Sequence, residues 1–210
     1  ATFEVRTVDV IQGFGSDGRV YTVPVSELPG ARGDGSPLTS FVNLAAGSQM
    51  VAYYAGQPDD LVLLSTKAGY GFLANVADMS TRNKAGKSFI SIDAKVAGDA
   101  PLGAAKVQVG MKQVACLSAA SKLLVFPLDE LKRLPTGGKG VILMGLDDKE
   151  FLSSAIAVGP NGATYSGAGR AGKPTELSLD AKTLKSFAGN RARKGHFVEP
   201  RLKDGKLKAN

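Results

Sequence analysis

Ten basic residues of this 210-residue chain fall in four glycine-bearing loops. Arg32 lies in ARGDG; Arg82, Lys84 and Lys87 in TRNKAGK; Lys132, Arg133 and Lys139 in KRLPTGGKG; Arg191, Arg193 and Lys194 in NRARKG. The chemistry these residue types suit is anion recognition. Glycine lets backbone N–H groups approach phosphate oxygens closely, and lysine or arginine supplies the charge. One such loop is an ordinary solvated turn. Recurrence in register along the chain favours a shared surface.

Other motifs fall short of the context their chemistry needs. Gly167-Ala-Gly169-Arg170-Ala-Gly172 spells the dinucleotide fingerprint, which requires a strand before it and a helix after it to receive a pyrophosphate. Pro174 and the strand-like TELSL follow instead, so a hairpin turn is expected there. Gly167 to Lys173 also approaches a P-loop, with Pro174 where a magnesium-binding Ser or Thr belongs. Arg170 and Lys173 are therefore counted with the candidate anion-contacting cations. Gly86-Lys87-Ser88 fails as a P-loop because Thr81 stands where the first glycine belongs, and Arg32-Gly33-Asp34 is read as a turn. His196 is the only histidine, which excludes two-histidine metal sites, and it is read as a surface or phosphate-contacting residue. Cys116, the only cysteine, sits in the apolar run VACLS and is read as a small buried hydrophobe. One cysteine permits no intrachain disulfide and fits a reducing compartment. Tyr21, Tyr70 and Tyr165 are read as core or turn packing. No catalytic or metal-ligating constellation is found.

The elements that position the loops are repeated. RVYTVPVSEL (Arg19–Leu28), YGFLANVADM (Tyr70–Met79), KLLVFPLDEL (Lys122–Leu131) and TELSLDAKTL (Thr175–Leu184) are versions of one phrase, starting 51, 52 and 53 residues apart. A period near 50 residues marks a repeated supersecondary unit. Seven residues after the phrase the first three copies place Gly35, Gly86 and Gly138, followed by the strand-like PLTSFVNL, SFISI and GVILMGL. Each unit reads as its own small antiparallel sheet. The second has MVAYYA, LVLLST, YGFLANV and SFISI; the third KVQV, VACLSA, KLLVFPL and VILMG; the fourth AIAV, ATYS, TELSL and HFV. Ser26, Asp129 and Asp180 are candidate caps of single helical turns. TFEVRT near the start reads as strand, and the basic tail 203–210 as frayed. The fold expected is all-β: one domain over 1–210 with units at about 1–48, 49–104, 105–152 and 153–202. It is a propeller-like array of four-stranded blades, four to five in number, with an open ring as one form of it.

Composition bounds the rest. Hydrophobic residues at 43% suffice for a core, and no run of 18 apolar residues is present. No charged-then-apolar leader is visible. The start at Ala1, without Met, reads as a piece of a longer protein. The net charge of +7 is uneven: residues 1–60 carry three basic against seven acidic side chains, residues 61–140 eleven against five, and residues 141–210 twelve against seven. An acidic first quarter followed by a basic remainder suggests a polarised surface and a polyanionic partner.

With the phrases and loops in view, the sequence resembles the C-terminal β-pinwheel domain of the A subunits of bacterial type II topoisomerases. The resemblance rests on GRVYTVPVSELPGARGDG (Gly18–Gly35), GYGFLANVADMSTRNKAGKSFISI (Gly69–Ile92) and KLLVFPLDELKRLPTGGKGVILM (Lys122–Met144), and covers nearly the whole chain. It is nearer the topoisomerase IV type than the gyrase type. The gyrase box reads Gln-Arg-Arg-Gly-Gly-Lys-Gly, and here Leu134-Pro-Thr-Gly-Gly-Lys-Gly140 keeps only its tail.

The resemblance implies a pinwheel in which blades exchange a strand, whose basic rim holds and bends double-stranded DNA. It presents a segment for strand passage in decatenation and supercoil relaxation. The resemblance also implies no cofactor in this domain, since ATP and magnesium act elsewhere in the holoenzyme. As partners it implies the catalytic core of the topoisomerase IV A chain and the companion B chain in an A2B2 heterotetramer, with no small-molecule substrate and a monomeric isolated domain. It implies a cytoplasmic, nucleoid-associated setting with peripheral association of the parent enzyme with the inner membrane. Gyrase-like DNA wrapping, a propeller scaffold for protein partners, and a nucleotide-dependent enzyme using Gly167–Lys173 are the alternatives. The absence of tryptophan counts against a WD-type scaffold.

Overall fold

The computed structural model describes residues 2–30 and 35–210. Unit 1 contributes β1 (Val10–Gly15) and β2 (Arg19–Pro24). Unit 2 contributes β3 (Met50–Gly56), β4 (Leu61–Thr66), β5 (Tyr70–Asn75) and, after its basic loop, β6 (Lys87–Ser88). Unit 3 starts a few residues before the expected boundary at 105 and gives β7 (Pro101–Lys106), β8 (Gln113–Ser118), β9 (Lys122–Pro127) and β10 (Val141–Ile142). Unit 4, extended by the segment after residue 202, gives β11 (Leu152–Val158), β12 (Ala163–Ala168), β13 (Pro174–Leu179), β14 (His196–Phe197) and β15 (Lys203–Ala209).

The sheets do not coincide with the sequence units. Among the described residues their orders are β3-β1-β2-β6, β10-β5-β4-β7, β11-β8-β9-β14 and β13-β12-β15. Each of the first three blades takes its central hairpin from one unit and both flanking strands from the next. The reading of every unit as a self-contained sheet is thus corrected, and the four blades are antiparallel throughout. Hairpin closure is local, but the flanks are long-range pairings that a repeat period alone does not reveal. The inner strands pack in succession, β3 on β7, β7 on β11 and β11 on β15. Among the described residues blade 4 lacks a strand outside β13, and the succession of inner strands ends at β15 without packing back on β3, so the array is open.

The core lies between blades, which explains the continuous apolar runs LVLLS, VACLS and KLLVF. Strands buried on both faces need no polar alternation. Val62 and Leu64 face Phe14, Val20 and Phe89 of the junction with blade 1, whereas Leu63 and Leu73 face Val114, Cys116, Phe126 and Leu143 at the next junction. Ala115, Leu117, Leu123 and Val125 meet Val158, Tyr165, Leu179 and Leu184 at the third. Each fully buried Val, Leu or Phe among them contributes about 1.5–3 kcal/mol relative to exposure. Burial in this apolar layer pushes the Cys116 thiol pKa up, as suits an inert structural cysteine.

Several local expectations are revised. Residues 203–209 form β15, paired with β12, instead of fraying, because Leu202, Gly205 and Leu207 are buried against blades 3 and 4. PLTSFVNL forms only a 3-10 turn (Leu38–Phe41). Later units place this segment on the preceding hairpin, and the described residues hold no hairpin before unit 1. TFEVRT has no strand, and the Arg6 backbone N–H bonds Asp9 Oδ2 at 2.7 Å in a turn. β7 ends at Lys106, leaving Val107–Val109 of KVQV as loop. Asp180 does cap α2 (Ala181–Lys185), which follows the single turn α1 (Val76–Met79), accepting from the Thr183 N–H at 2.7 Å. Ser26 and Asp129 instead lie inside 3-10 turns that follow Pro24 and Pro127.

Tyr165 ties the last strand to blade 3. Its hydroxyl donates to Ser121 Oγ and accepts from the Leu202 N–H, both at 2.9 Å, with no exposure of the side chain. Tyr165→Phe leaves both partners without it and is expected to cost about 1–3 kcal/mol. Urea unfolding should show a lower midpoint at unchanged slope. An unchanged midpoint would mean that the β12–β15 ladder holds the strand alone.

Candidate nucleic-acid interface

Each of the three basic loops among the described residues follows the third strand of its unit, crosses to the preceding blade and pairs there for two residues. Lys87–Ser88 pair with Val20–Arg19, Val141–Ile142 with Gly71–Tyr70, and His196–Phe197 with Leu123–Lys122. The residue before each pairing is a glycine in the left-handed region: Gly86 (φ 71°), Gly140 (φ 75°) and Gly195 (φ 70°). These three are structurally equivalent. The structure therefore shifts the third glycine of the register from Gly138 to Gly140 and adds Gly195, which the repeat spacing missed because the loops differ in length.

Backbone hydrogen bonds join successive loops into one ridge. Asn43 N–H donates to Lys84 O at 2.7 Å. Gly138 N–H donates to Phe89 O at 2.8 Å, and Ser91 N–H to Gly138 O at 3.0 Å. Ala192 N–H reaches Leu143 O and Gly145 N–H reaches Arg193 O, each at 3.0 Å. Leu73 clamps the base of the second loop, donating to Lys132 O at 2.9 Å and accepting from the Leu134 N–H at 2.8 Å. Arg19 steadies the first loop, its Nη1 donating to Ala85 O at 3.2 Å and Gly86 O at 3.3 Å.

The cations on this ridge divide by what they already hold. Arg82, Lys84, Lys132, Arg133 and Arg193 are exposed or half-exposed and make no ion pair among the described residues. Lys87 is half-buried: its Nζ donates to Asp78 O at 2.6 Å and lies 5.2 Å from the Phe89 ring centroid. Lys139 Nζ is 2.9 Å from Asp93 Oδ2 and 4.1 Å from the Tyr70 ring centroid. The hydrogen bond with Asp93 raises the Lys139 pKa and lowers that of the carboxylate. Lys194 pairs with Asp147, which also pairs with Lys122, and those two ammonium hydrogen bonds hold the Asp147 pKa at about 2. Arg191 Nη1 donates to Ile142 O at 2.5 Å, and its Nε lies 3.7 Å from Glu130 Oε2.

Arg170 and Lys173 are exposed but belong to the β12–β13 hairpin turn, not to a ridge loop. A strand follows Gly172, so the helix a dinucleotide fingerprint needs is not there. Arg32 and the Arg32-Gly33-Asp34 tripeptide lie outside the described residues. His196 is exposed on β14. Asp93 and Asp147 join the site only through the fold. Their signal in the sequence is spacing, each standing seven residues after a pairing glycine, Gly86 or Gly140.

Comparison with known proteins agrees with this architecture. The family described as DNA gyrase C-terminal domain, beta-propeller, matches residues 14–47, 60–98 and 112–158, more than half of the chain. The A subunit of DNA topoisomerase 4 from Neisseria gonorrhoeae is 31% identical over 179 residues, covering 84% of this chain and 23% of that protein. That of Pseudomonas aeruginosa is 33% identical over 186 residues, covering 86% and 24%. The chain thus spans about a quarter of the length of these relatives. The solved structure of the E. coli ParC C-terminal domain superposes with a TM-score of 0.81 at 22% identity, covering 99% of this chain and 84% of that one. A DNA gyrase A C-terminal domain does so at 0.70 and 19%, covering 91% and 60%. From this profile, shared sequence and blade architecture, the chain belongs to the DNA gyrase C-terminal domain family of β-propellers.

Proposed function

We propose that this chain is the DNA-binding and DNA-bending domain of a topoisomerase IV of the ParC type, presenting a duplex segment for strand passage. The observation that carries this is the ridge. Exposed cations recur on loops stitched backbone to backbone across successive blades, so a polyanion following the ridge meets charge at each of the first three blades. Such contacts bind and orient a duplex without reading its sequence. Bending follows where the duplex turns with successive blades to keep its phosphates on these loops, the added contacts offsetting the cost of deformation.

On this reading cleavage, metal binding and ATP hydrolysis belong to other parts of a holoenzyme. That assembly joins the cleavage core of the A chain to the companion B chain, as A2B2, in the cytoplasm, on the nucleoid and peripherally at the inner membrane. The domain itself needs no cofactor and no small-molecule substrate, and it is monomeric when isolated. Ligase-driven ring closure of a duplex of about 150 base pairs in its presence tests the bending. Faster closure as protein concentration rises is expected. Unchanged closure at concentrations that saturate the DNA would leave binding without bending.

A further inference from the structure

Resting on the DNA-binding reading, we propose that Lys139 and Lys194 mark two backbone-phosphate positions one blade apart. Asp93 and Asp147 are positioning residues that fill those positions until a duplex displaces them. The two ion pairs are one arrangement drawn twice. Lys139 immediately precedes Gly140, and Lys194 immediately precedes Gly195. Asp93 lies seven residues after Gly86, and Asp147 seven residues after Gly140. In both cases the lysine of one loop is held by the carboxylate that follows the preceding loop. The first junction lacks both members, having Ala85 before Gly86 and Val42 seven residues after Gly35.

A carboxylate at hydrogen-bond distance from an ammonium shows where an anion oxygen is accommodated. The lysines remain open to solvent, 43% exposed for Lys139 and 63% for Lys194. Solvent around each ammonium screens its pair, Asp93 being 15% and Asp147 45% exposed, so a phosphodiester can take the carboxylate's place. The exchange has a measurable consequence. A lysine already paired with Asp adds little to counterion release when it meets a phosphate, so these two positions contribute little to the salt dependence of binding, unlike Arg82 or Lys132.

Asparagine removes each charge and keeps an oxygen. Asp93 Oδ1 accepts from the Lys95 N–H at 3.0 Å, a bond Asn retains, and Lys122 keeps Glu150 at 3.1 Å when Asp147 is neutralised. The test is fluorescence anisotropy of a labelled duplex of roughly 40 base pairs across a salt series. It compares the unsubstituted chain with Asp93→Asn, Asp147→Asn, and Asp59→Asn as a charge-matched control in the β3–β4 turn. Each ridge substitution should raise affinity by about eightfold at 0.1 M salt and steepen the log–log salt slope by about 0.9. Lys139→Ala in the Asp93→Asn background should abolish that gain. Equal effects of all three asparagines, or tighter binding without a steeper slope, would overturn the proposal. So would weaker binding accompanied by a lower thermal midpoint, which would make the pairs structural. Failure of the unsubstituted chain to bind would instead overturn the DNA reading on which the proposal rests.

Discussion

Replacing Arg82, Lys84, Lys132, Arg133 and Arg193 together by alanine is expected to lower duplex affinity by about three orders of magnitude or more at 0.1 M salt. The fold should be retained. Binding constants scale with salt to a power of about −0.9 per neutralised phosphate, so five lost contacts remove most of an electrostatic affinity and flatten the salt slope by about 4.5. These five side chains hold no ion pair among the described residues, and such surface substitutions change stability by about 0.5 kcal/mol or less each. Lys87→Ala should behave in the opposite way. Its ammonium is already engaged by the Asp78 carbonyl and the Phe89 ring, so that change should affect stability more than binding. Anisotropy and thermal unfolding on the two variants separate the roles.

Gly140→Ala carries the largest expected loss of stability, about 3 kcal/mol or more. Its φ of +75° costs an L-residue about 1–2 kcal/mol by itself. A Cβ there would stand 2.1 Å from Gly71 O and 2.6 Å from Gly71 C, backbone atoms that no rotamer change can move aside. Relief requires β10 to lift from β5, taking with it the segment that carries Lys132, Arg133 and Lys139. Duplex binding should therefore weaken alongside stability. Gly110→Ala is the control: φ is +90° there too, but nothing lies within 4 Å of the added carbon. It should show the conformational cost alone. Urea midpoints that fall equally for both variants would show that the second loop is not held against blade 2 by this close approach.

The period near 50 residues and the doubly buried strand runs made the blades legible in the sequence. Hairpins such as Leu61–Thr66 with Tyr70–Asn75 follow from runs of β-rich residues broken by Lys67-Ala68-Gly69. The partner of each flanking strand was not legible. β3 and β6 belong by sequence to unit 2 and by pairing to blade 1, a choice made by contacts distant in sequence that leave no local trace. Loop length hid the glycine register: TRNKAGK and KRLPTGGKG place their pairing glycines at different distances from the phrase, so counting from the phrase selected Gly138 and not Gly140. The basic loops themselves stood out by composition. Which cations are free did not, because Lys139 and Lys194 look like their neighbours until Asp93 and Asp147 are brought beside them by the fold.

The central claim is that the ridge binds duplex DNA through phosphates. The most direct measurement is the anisotropy titration of the unsubstituted chain against two duplexes of unrelated sequence, from low to moderate salt. The account predicts equal affinities for the two, falling steeply and in parallel as salt rises, with a log–log slope that corresponds to about five phosphates. Absence of binding at low salt, or an affinity indifferent to salt, would contradict it.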